Sequence, residues 1–362
     1  MTREAATHPA PARYVMIAQS FAPLTGGVER HVAGVHAALG RLGHSGRIVV
    51  VHKGPAPRGL APDVEWIQFP AGLSRARILA RPGSIVRLLR TLRAERGSVL
   101  HFHDAATLHP FLPLLRLFGL LRKTYITFHG WEGTFPPEPT VVRQRRECER
   151  AAAGTILVGE FIRRWYGAKG DVVTYGGTDV GNLASLPPLR PGEPLRAAYV
   201  GRLEPDTGLP VILDAFRRLR KMPGAPVHLS VFGSGSMEPM VRKEEGGSVT
   251  LEPAPADIAS VYRSYPVILA SGYLTILEAL CAGRVVFACY DNLLRKDYLT
   301  LHPAASSCYM CGGAPALLDG LIDCRDEMPA VLARCEAGWA WARTQSWDRV
   351  AGDYRSLWSR HE

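Results

Sequence analysis

Short apolar segments alternate with longer amphipathic segments along the chain, and this alternation limits the possible folds more than any other feature of the sequence. Tyr14–Ala18 has the apolar run of a buried strand, and Val28–Leu42 after it has the apolar spacing of a helix. Val99–His103 and Lys123–Phe128 are further strand-like segments, the second followed directly by His129. Strands that alternate with helices form a parallel sheet covered by helices. The sequence therefore predicts an α/β architecture.

The pattern starts again after a proline-rich segment. Leu183–Pro194 contains four prolines, a composition typical of a linker between domains. Beyond it, the strand-like segments Arg196–Val200 and Val227–Phe232 enclose the helical segment Pro210–Lys221. At about 100–200 residues per domain, 362 residues accommodate two domains. We predict two Rossmann-like, doubly wound domains, residues 1–183 and 184–345, that face a central cleft. Residues 346–362 are predicted to form a helix that crosses back to the first domain.

The composition excludes several classes of protein. Hydrophobic residues make up 47% of the chain and charged residues 21%, which is typical of a folded protein. No apolar run approaches the roughly 18 residues that span a bilayer, and the first 20 residues lack the apolar core of a secretion signal. Seven cysteines favour free thiols over a disulfide framework, and Cys308 and Cys311 have no second pair at zinc-binding spacing. We therefore expect a cytoplasmic protein whose cysteines are ordinary thiols.

The positive charge is concentrated in the N-terminal half of the chain. Residues 1–182 hold 24 of the 43 Lys and Arg residues and 13 of the 33 Asp and Glu residues. The net charge of this half is therefore +11, and that of the remainder is −1. No nucleic-acid-binding motif accompanies this charge, so we expect no nucleic acid partner. A basic face suits an anionic partner or the inner face of the membrane, which the segments Ser84–Arg96 and Phe111–Leu121 could contact. The alternative is an arginine-rich solvated surface, with Phe111–Leu121 as a core helix.

Glycine-containing loops follow several of the predicted strands. The Gly26-Gly27 pair precedes the first helix, where backbone N–H groups can approach an anion closely. In the second half, a glycine turn carries Arg202, whose guanidinium suits a phosphate, and Gly233 and Gly235 follow the next strand. Ligands of open α/β sheets bind at the carboxyl ends of the strands. These loops therefore predict a site for a phosphate or a nucleotide.

Glu278 is a lone carboxylate on the otherwise apolar helical segment Leu274–Ala282. A carboxylate buried without a partner is costly. Either the ribose hydroxyls of a nucleotide or a lysine elsewhere in the chain would satisfy it.

Taken in order, these motifs resemble those of the GT-B glycosyltransferases, and in particular the large retaining family 4, which uses nucleotide-sugar donors. The resemblance covers nearly the whole chain. It rests on the GGVERH loop at Gly26, the histidine after a strand in Thr127–Gly130, the YGGTD turn at Tyr175–Asp179, the GRL turn at Gly201, the LEAL-CAG helix at Leu277–Gly283 and the terminal Ser346-Trp347 helix.

The resemblance implies a role for each matched residue. His129 would contact the donor sugar near the reaction centre, Arg202 would hold the diphosphate, and Glu278 would bind the ribose; these three form the implied catalytic set. In such retaining enzymes the leaving diphosphate takes the acceptor proton, so neither a side-chain base nor a cofactor or metal is implied. The implied donor-binding residues are Gly26, Gly27, Arg202, Gly233, Gly235, Ser271, Tyr273, Leu274, Thr275 and Glu278.

Two positions depart from the family pattern. Thr207 stands where the family has a lysine, and Ala270 stands where it has a second glutamate. A lost charge-assisted contact typically costs ~1.5–3 kcal/mol. Three explanations stay open: a donor other than the ordinary UDP-hexoses, a weak site, or compensation by Lys296, Arg284 or the segment Tyr290–Asn292.

The acceptor is predicted to bind near His103 and Asp104, at a strand end, and near Glu132, in a loop that otherwise is a plain surface connection. His101 is interpreted as a core histidine and His31 as a residue of a helix surface.

The sequence thus predicts a retaining glycosyltransferase that moves a sugar from a nucleotide-sugar to a hydroxyl acceptor, which is anionic or lipid-linked if the basic half binds it. Glycolipid precursors, polysaccharide precursors and secondary metabolites all stay open as acceptors. A catalytically weak nucleotide-sugar-binding protein and an NDP-sugar 2-epimerase-like enzyme are the alternatives.

Overall fold

The structure is a computed structural model that describes residues 12–23, 26–70, 78–95, 97–131, 133–179, 195–222, 227–253, 255, 257–326 and 328–360. Glu132 and the predicted linker Leu183–Pro194 lie outside these residues. The chain divides into two compact units. Unit 1 draws its described residues from Met1–Val158, Ile162–Thr174 and Trp347–Glu362, and unit 2 from Gly159–Phe161 and Tyr175–Ser346.

Unit 1 is built on a parallel sheet. Its strands are β1 Arg13–Ala18, β2 Ser45–His52, β3 Val64–Gln68, β4 Val99–His103, β5 Thr124–Phe128, β6 Gly154–Val158 and β7 Val172–Thr174. They lie in the order β3-β2-β1-β4-β5-β6-β7. Every residue of β4, β5 and β6 is buried, as expected for strands covered by helices on both faces. Because the strands are parallel, the ends of β4 and β5 lie side by side at one edge of the sheet.

Unit 2 repeats this arrangement. Its strands are β8 Leu195–Val200, β9 Val227–Phe232, β10 Val249–Glu252, β11 Val267–Ala270, β12 Val285–Cys289 and β13 Tyr309–Cys311. They are parallel and lie in the order β10-β9-β8-β11-β12-β13. Both sheets place their first five strands in the order 3-2-1-4-5, the order of doubly wound nucleotide-binding folds. The predicted α/β class is therefore confirmed for both units.

Helices connect the strands in each unit. They are α1 Gly27–Arg41, α2 Pro82–Ala94, α3 Ala105–Leu108, α4 Leu112–Leu117, α5 Pro139–Ala151, α6 Phe161–Tyr166, α7 Leu209–Leu219, α8 Glu238–Glu244, α9 Ile258–Ser264, α10 Tyr273–Cys281, α11 Leu293–Thr300, α12 Ala314–Asp326, α13 Met328–Ala342 and α14 Trp347–Ser359. In unit 2, Leu213 and Phe216 of α7 share one buried core with Val231 and Phe287 of the sheet. Apolar spacing along α7 thus gives one face to the sheet.

Helix α14 belongs to unit 1 although it follows unit 2 in the sequence. It packs on α1, where the ring of Trp347 lies against Gly34. A Cβ at position 34 would overlap that ring, so glycine permits the close approach of the two helices. At the end of α1, Arg41 donates a 2.7 Å hydrogen bond to Asp348.

The apolar segment Phe111–Leu121 does not form one continuous core helix. Helix α4 ends at Leu117, and Gly119 follows it with φ +64°. Leu112 and Leu115 are buried, whereas Leu117 is 75% exposed. No helix among the described residues is long and apolar enough to cross a membrane.

The sequence pattern did not predict β10 and β13. These strands have four and three residues, and each lies at an edge of the unit 2 sheet.

Candidate functional site

Three predicted residues meet at the ends of β4 and β5 in unit 1. Nδ1 of His103 lies 2.8 Å from Nε2 of His129. Asp104, the next residue, accepts a 2.8 Å hydrogen bond from the backbone N–H of His129 through Oδ1. Asp104 has φ +69° and ψ 154°, a conformation that residues other than glycine rarely adopt. The two residues that follow β4 therefore hold both the ring and the backbone of His129.

His31 is buried beside this group, so its interpretation as a residue of a helix surface is wrong. Its side chain is 2% exposed, and its ring lies 4.7 Å from that of His129 at 85°. Helix α14 covers it, with the ring of Trp347 at 5.4 Å and the hydroxyl of Tyr354 at 3.0 Å from Nε2. The end of the sheet and helix α14 together bury this side chain, and neither neighbour is evident from the local sequence of α1.

A chain of hydrogen bonds runs from α14 through the sheet to His31. Trp358 can only donate from Nε1, and it donates to Nδ1 of His101 at 3.0 Å. A neutral His101 then carries its proton on Nε2 and donates to Thr127 at 2.7 Å. Thr127 lies 2.8 Å from the hydroxyl of Tyr354, which lies 3.0 Å from Nε2 of His31. His101 is a satisfied core histidine, as predicted.

Burial keeps the four histidines of this group neutral. Desolvation lowers the pKa of His31 to about 3. Desolvation first, and neighbouring histidine charges second, lower the pKa values of His101, His103 and His129 well below the ordinary 6.5. At neutral pH the group therefore offers hydrogen bonds and aromatic surface, not positive charge.

The Gly26-Gly27 pair stands at the start of α1. Gly26 is the N-cap in an extended conformation, and no side chain caps the helix. A Cβ at Gly27 would meet no atom within 4 Å. Packing inside the chain thus does not require glycine at 27, and the predicted approach of a ligand stays a prediction.

In unit 2 the loops after β8 and β9 interlock. The N–H of Gly201 donates to the carbonyl of Phe232 at 3.1 Å, and that of Leu203 donates to the carbonyl of Ser234 at 2.9 Å. Gly233 and Gly235 both have φ +155°, and a Cβ on either would overlap the backbone of the other loop. These glycines therefore bring the two loops into backbone contact, which places Arg202 beside the Gly233–Gly235 loop.

Arg202 forms an ion pair within its own loop. Its Nη2 lies 2.8 Å from Oδ2 of Asp206, and its side chain is 57% exposed. Thr207, at the position of the family's lysine, is buried, and its hydroxyl lies 2.9 Å from that of Tyr199. The loop thus presents one exposed guanidinium that is already paired with a carboxylate.

A buried guanidinium that the sequence did not single out lies next to Thr207. Arg295 of α11 donates to the carbonyls of Thr207 and Ser271, both at 2.8 Å, and to the carbonyl of Cys289 at 3.2 Å. No carboxylate of the described residues pairs with it. Arg295 follows a loop at the carboxyl end of β12, so it supplies positive charge at the predicted edge of the sheet.

The two cations considered as compensation lie elsewhere. Arg284 is buried directly before β12, at the opposite edge of the sheet from Ser271, and burial lowers its pKa to about 10. Lys296 is exposed, next to Arg295 on α11. Arg295 fits the position beside Thr207 better than either residue. In the sequence, the only signal for Arg295 is that it directly precedes Lys296, which was considered as a compensating cation.

Glu278 is buried on α10, as its apolar surroundings in the sequence predict. Its Oε2 accepts a 2.8 Å hydrogen bond from the hydroxyl of Tyr262, which is also buried. Glu278 therefore has a tyrosine as a partner, which is neither the lysine nor the ribose that the sequence led us to expect.

The other predicted donor-binding residues lie at the start of α10. Ser271 and Thr275 both donate to the carbonyl of Val200, at 3.1 and 3.4 Å. The ring of Tyr273 stacks on that of Tyr298 at 4.1 Å, and its N–H donates to the Tyr298 hydroxyl at 3.0 Å. Leu274 is half-buried. Ser271 and Thr275 thus fasten the loop after β11 to the end of β8, and Ala270, the last residue of β11, is fully buried.

No three His, Cys, Asp or Glu side chains are grouped to hold a metal ion within the described parts of the chain. All seven cysteines are buried and none forms a disulfide, Cys308 and Cys311 among them. The prediction of metal-independent chemistry stays a prediction.

The chain is similar to known proteins over part of its length in sequence and over nearly its whole length in structure. The sequence profile described as Glycosyltransferase Family 4 matches residues 25–180. Among solved structures, a glycosyltransferase from Rickettsia africae has 15% sequence identity and a TM-score of 0.68 over 97% of this chain and 98% of its own. HepE from Anabaena, solved with UDP and glucose, has 14% identity and a TM-score of 0.69 over 96% of this chain and 100% of its own. No curated protein sequence matches the chain.

A further solved structure extends the likeness to a plant enzyme. The catalytic domain of starch synthase IV from Arabidopsis thaliana, bound to ADP and acarbose, has 15% identity and a TM-score of 0.66 over 97% of this chain and 99% of its own. The two parallel sheets are those of the GT-B fold, and the class of protein is a glycosyltransferase. The predicted resemblance is confirmed, with the family 4 match falling on residues 25–180.

Proposed function

We propose that this chain is a retaining glycosyltransferase that moves a sugar from a nucleotide-sugar donor to a hydroxyl acceptor. The observation that carries the proposal is the meeting, in unit 2, of the loops that follow β8, β9 and β11. They bring Arg202, Gly233 and Ser271 to one edge of a doubly wound sheet, where such folds bind nucleotides. HepE was solved with UDP and glucose, and starch synthase IV with ADP, which supports a nucleotide-bearing donor.

In this proposal, Arg202 and Arg295 supply the positive charge for the donor diphosphate. Arg202 is exposed and can exchange Asp206 for a phosphate, to which a guanidinium donates two parallel hydrogen bonds. Arg295 is held by carbonyls, so its charge acts from a fixed position. Fixed charge that faces the departing diphosphate stabilises the transition state without reorganisation. Glu278, anchored by Tyr262, accepts hydrogen bonds from the ribose.

The proposed reaction needs no side-chain base. The bond between the anomeric carbon and the diphosphate oxygen breaks, and the acceptor oxygen bonds to that carbon on the same face. The acceptor proton passes to an oxygen of the departing diphosphate. His129, neutral and held from β4, contacts the donor sugar.

The proposed acceptor is anionic or lipid-linked, and a basic apolar face of unit 1 supports this. We define the face by Arg90 and Arg93 of α2 with Arg116 and Leu117 of α4, all exposed. The guanidinium of Arg93 lies 4.2 Å from the ring centroid of Phe118, which joins the ends of the two helices. Exposed guanidinium groups and an exposed leucine on these two helices suit an anionic membrane surface.

A thermal-shift screen across UDP-, GDP-, dTDP-, CMP- and ADP-sugars tests the proposal. A ligand at about 100 times its dissociation constant stabilises a protein by ~2.7 kcal/mol. The donor that shifts unfolding is then incubated with and without acceptors. Transfer, or slow hydrolysis of the donor, supports a transferase. Tight binding without turnover indicates a binding protein, and conversion to a second nucleotide-sugar indicates an epimerase. The absence of any shift would contradict the proposal.

A further inference from the structure

The hydrogen bond between His103 and His129 contains a single proton whose position determines what His129 offers to a ligand. Both rings are neutral at pH 7, so one nitrogen of the pair carries the proton and the other accepts it. If His103 donates from Nδ1, His129 carries its own proton on Nδ1. If His129 donates from Nε2, its Nδ1 is a bare lone pair. The heavy-atom distance is the same in both cases.

The far nitrogen of His103 distinguishes the two arrangements. Nε2 of His103 is fully buried and has no hydrogen-bond partner among the residues that the structure describes. If His129 were the donor, His103 would carry its proton on this nitrogen, and an N–H group would be buried without an acceptor. If His103 is the donor, the nitrogen holds only a lone pair. Buried N–H groups without an acceptor are the rarer of the two in folded proteins.

The far nitrogen of His129 has the opposite surroundings. Nδ1 of His129 makes no hydrogen bond within the described part of the chain, and it is not one of the fully buried polar atoms. It is therefore the ring nitrogen that a ligand can reach. The proton assigned to it points toward that ligand.

Asp104 fixes the same ring in space. Its carboxylate accepts the backbone N–H of His129, and its own backbone has φ +69°. Such strain persists only where surrounding contacts determine it, and it is concentrated at functional sites. The bond from Asp104 sets the position of His129, while the bond from His103 sets which nitrogen carries the proton.

We propose that His103 is a positioning residue: it donates from Nδ1 to Nε2 of His129, so that His129 presents an N–H donor, and not a basic lone pair, to an oxygen of the bound donor sugar. The inference rests on the proposed function for the identity of the ligand. It assigns His129 the role of a hydrogen-bond donor and excludes it as a general base. His103, which is 1% exposed, is then not itself a contact of the acceptor.

The proton position is measured directly by NMR on the free protein labelled with ¹⁵N-histidine. The signals of His129 are those that disappear in His129→Gln. We expect a protonated Nδ1 and an unprotonated Nε2 for His129, and a protonated Nδ1 for His103. His228→Gln, in β9 of unit 2, is the control and should leave these signals unchanged. A proton on Nε2 of His129 would overturn the proposal. This measurement needs neither a donor nor turnover, so its outcome is separate from that of the proposed function.

Two substitutions at His103 connect the proton position to activity. His103→Asn keeps an N–H donor near the position of Nδ1, whereas the ionised carboxylate of His103→Asp can only accept. In His103→Asp we expect the proton of His129 on Nε2 and a kcat lower by about 10- to 100-fold, the range seen when a residue that orients a metal-bound histidine is removed. The donor KM should change less than kcat, and His103→Asn should lose less activity than His103→Asp. Equal losses in two folded variants would show a purely structural role.

Discussion

The hydroxyl of Tyr262 donates a 2.8 Å hydrogen bond to Oε2 of Glu278, and both side chains are buried in unit 2. The bond joins α9 to α10 across 16 residues of sequence. It gives the carboxylate of the proposed ribose site a fixed orientation before any ligand binds.

Removing this hydroxyl tests its contribution. A hydrogen bond to a charged group typically contributes about 1.5–3 kcal/mol. Tyr262→Phe should lower the free energy of unfolding by that amount, measured by urea denaturation, and should weaken binding of the nucleotide. Tyr265→Phe removes a bond to the neutral hydroxyl of Ser230 and is the matched control, with an expected loss of about 0.5–1.5 kcal/mol. Equal losses in the two variants would contradict a charged Glu278.

Arg202 and Asp206 form a second pair with a testable consequence. Because Asp206 and a phosphate compete for the same guanidinium, Asp206→Asn should tighten binding of a nucleoside diphosphate a few-fold, as expected for an exposed pair worth about 0.2–1 kcal/mol. Arg202→Ala should weaken binding by about tenfold or more. Calorimetric titration with UDP and with uridine separates the effect on phosphate binding from any effect on nucleoside binding. Uridine has no phosphate, so neither substitution should change its affinity. Unchanged UDP affinity in Arg202→Ala would exclude the phosphate role.

Gly233 is predicted to be irreplaceable for a reason of packing. A Cβ at this position would overlap the carbonyl oxygen of Gly201, and its φ of +155° is unfavourable for other residues. Gly233→Ala should therefore lower the melting temperature of unit 2 and separate the two loops. Gly40→Ala is the control on α1, where a Cβ meets nothing within 4 Å, and it should stabilise the protein by about 0.5–1 kcal/mol. Comparable stability of the two variants would mean that the loops do not touch in solution.

The histidine group predicts how stability depends on pH. The pKa of His31 is lowered to about 3 in the folded chain, and those of His101, His103 and His129 are lowered well below 6.5. Below about pH 6.5 the unfolded chain binds protons that the folded chain does not bind, so the free energy of unfolding falls as the pH falls. The loss reaches about 1.4 kcal/mol per pH unit for each histidine.

Urea denaturation followed by the tryptophan fluorescence of unit 1, between about pH 7 and pH 5, measures this slope. The window lies above the range in which most carboxylates titrate. His101→Gln removes one of the titrating groups and should give a shallower slope. A free energy of unfolding that is constant across the window would show that the histidines are solvated.

The basic apolar face predicts membrane binding that depends on salt. The chain should sediment with vesicles that contain anionic phosphatidylglycerol and stay in solution with purely zwitterionic vesicles. Each surface arginine contributes about 1 kcal/mol to such binding, which is screened as salt rises. Arg90→Gln with Arg93→Gln should weaken binding, whereas Arg242→Gln in unit 2, paired with Glu238, should not. Equal binding to both vesicle types would remove the support for a membrane-associated acceptor.

The fold could be predicted from the sequence to a large extent. β4 and β9 have the predicted bounds, and β1 begins one residue earlier than predicted, because buried parallel strands appear as continuous apolar runs. The glycine loops were also recognisable, since a strand end followed by glycine is a local pattern. The edge strands β10 and β13 could not be recognised in the sequence, because each is short and pairs with a strand that is distant in sequence.

The candidate site could be predicted only in part. Glu278 stood out because a carboxylate on an apolar helix is locally unusual. Arg295 did not, because an arginine followed by a lysine is typical of an exposed helix surface, and only the arrangement of β12 and α11 brings it 2.8 Å from the carbonyl of Thr207, 88 residues away.

By itself, the sequence determined that the chain forms parallel sheets with glycine loops at their strand ends, because periodicity and glycine act over a few residues. Only the tertiary structure decided that His31 is interior. Tyr354, 323 residues further along, covers it from α14, and a contact across that distance leaves no trace in the local pattern of α1. The same packing converts histidines with ordinary sequence surroundings into a neutral hydrogen-bond network, because burial disfavours their charged form.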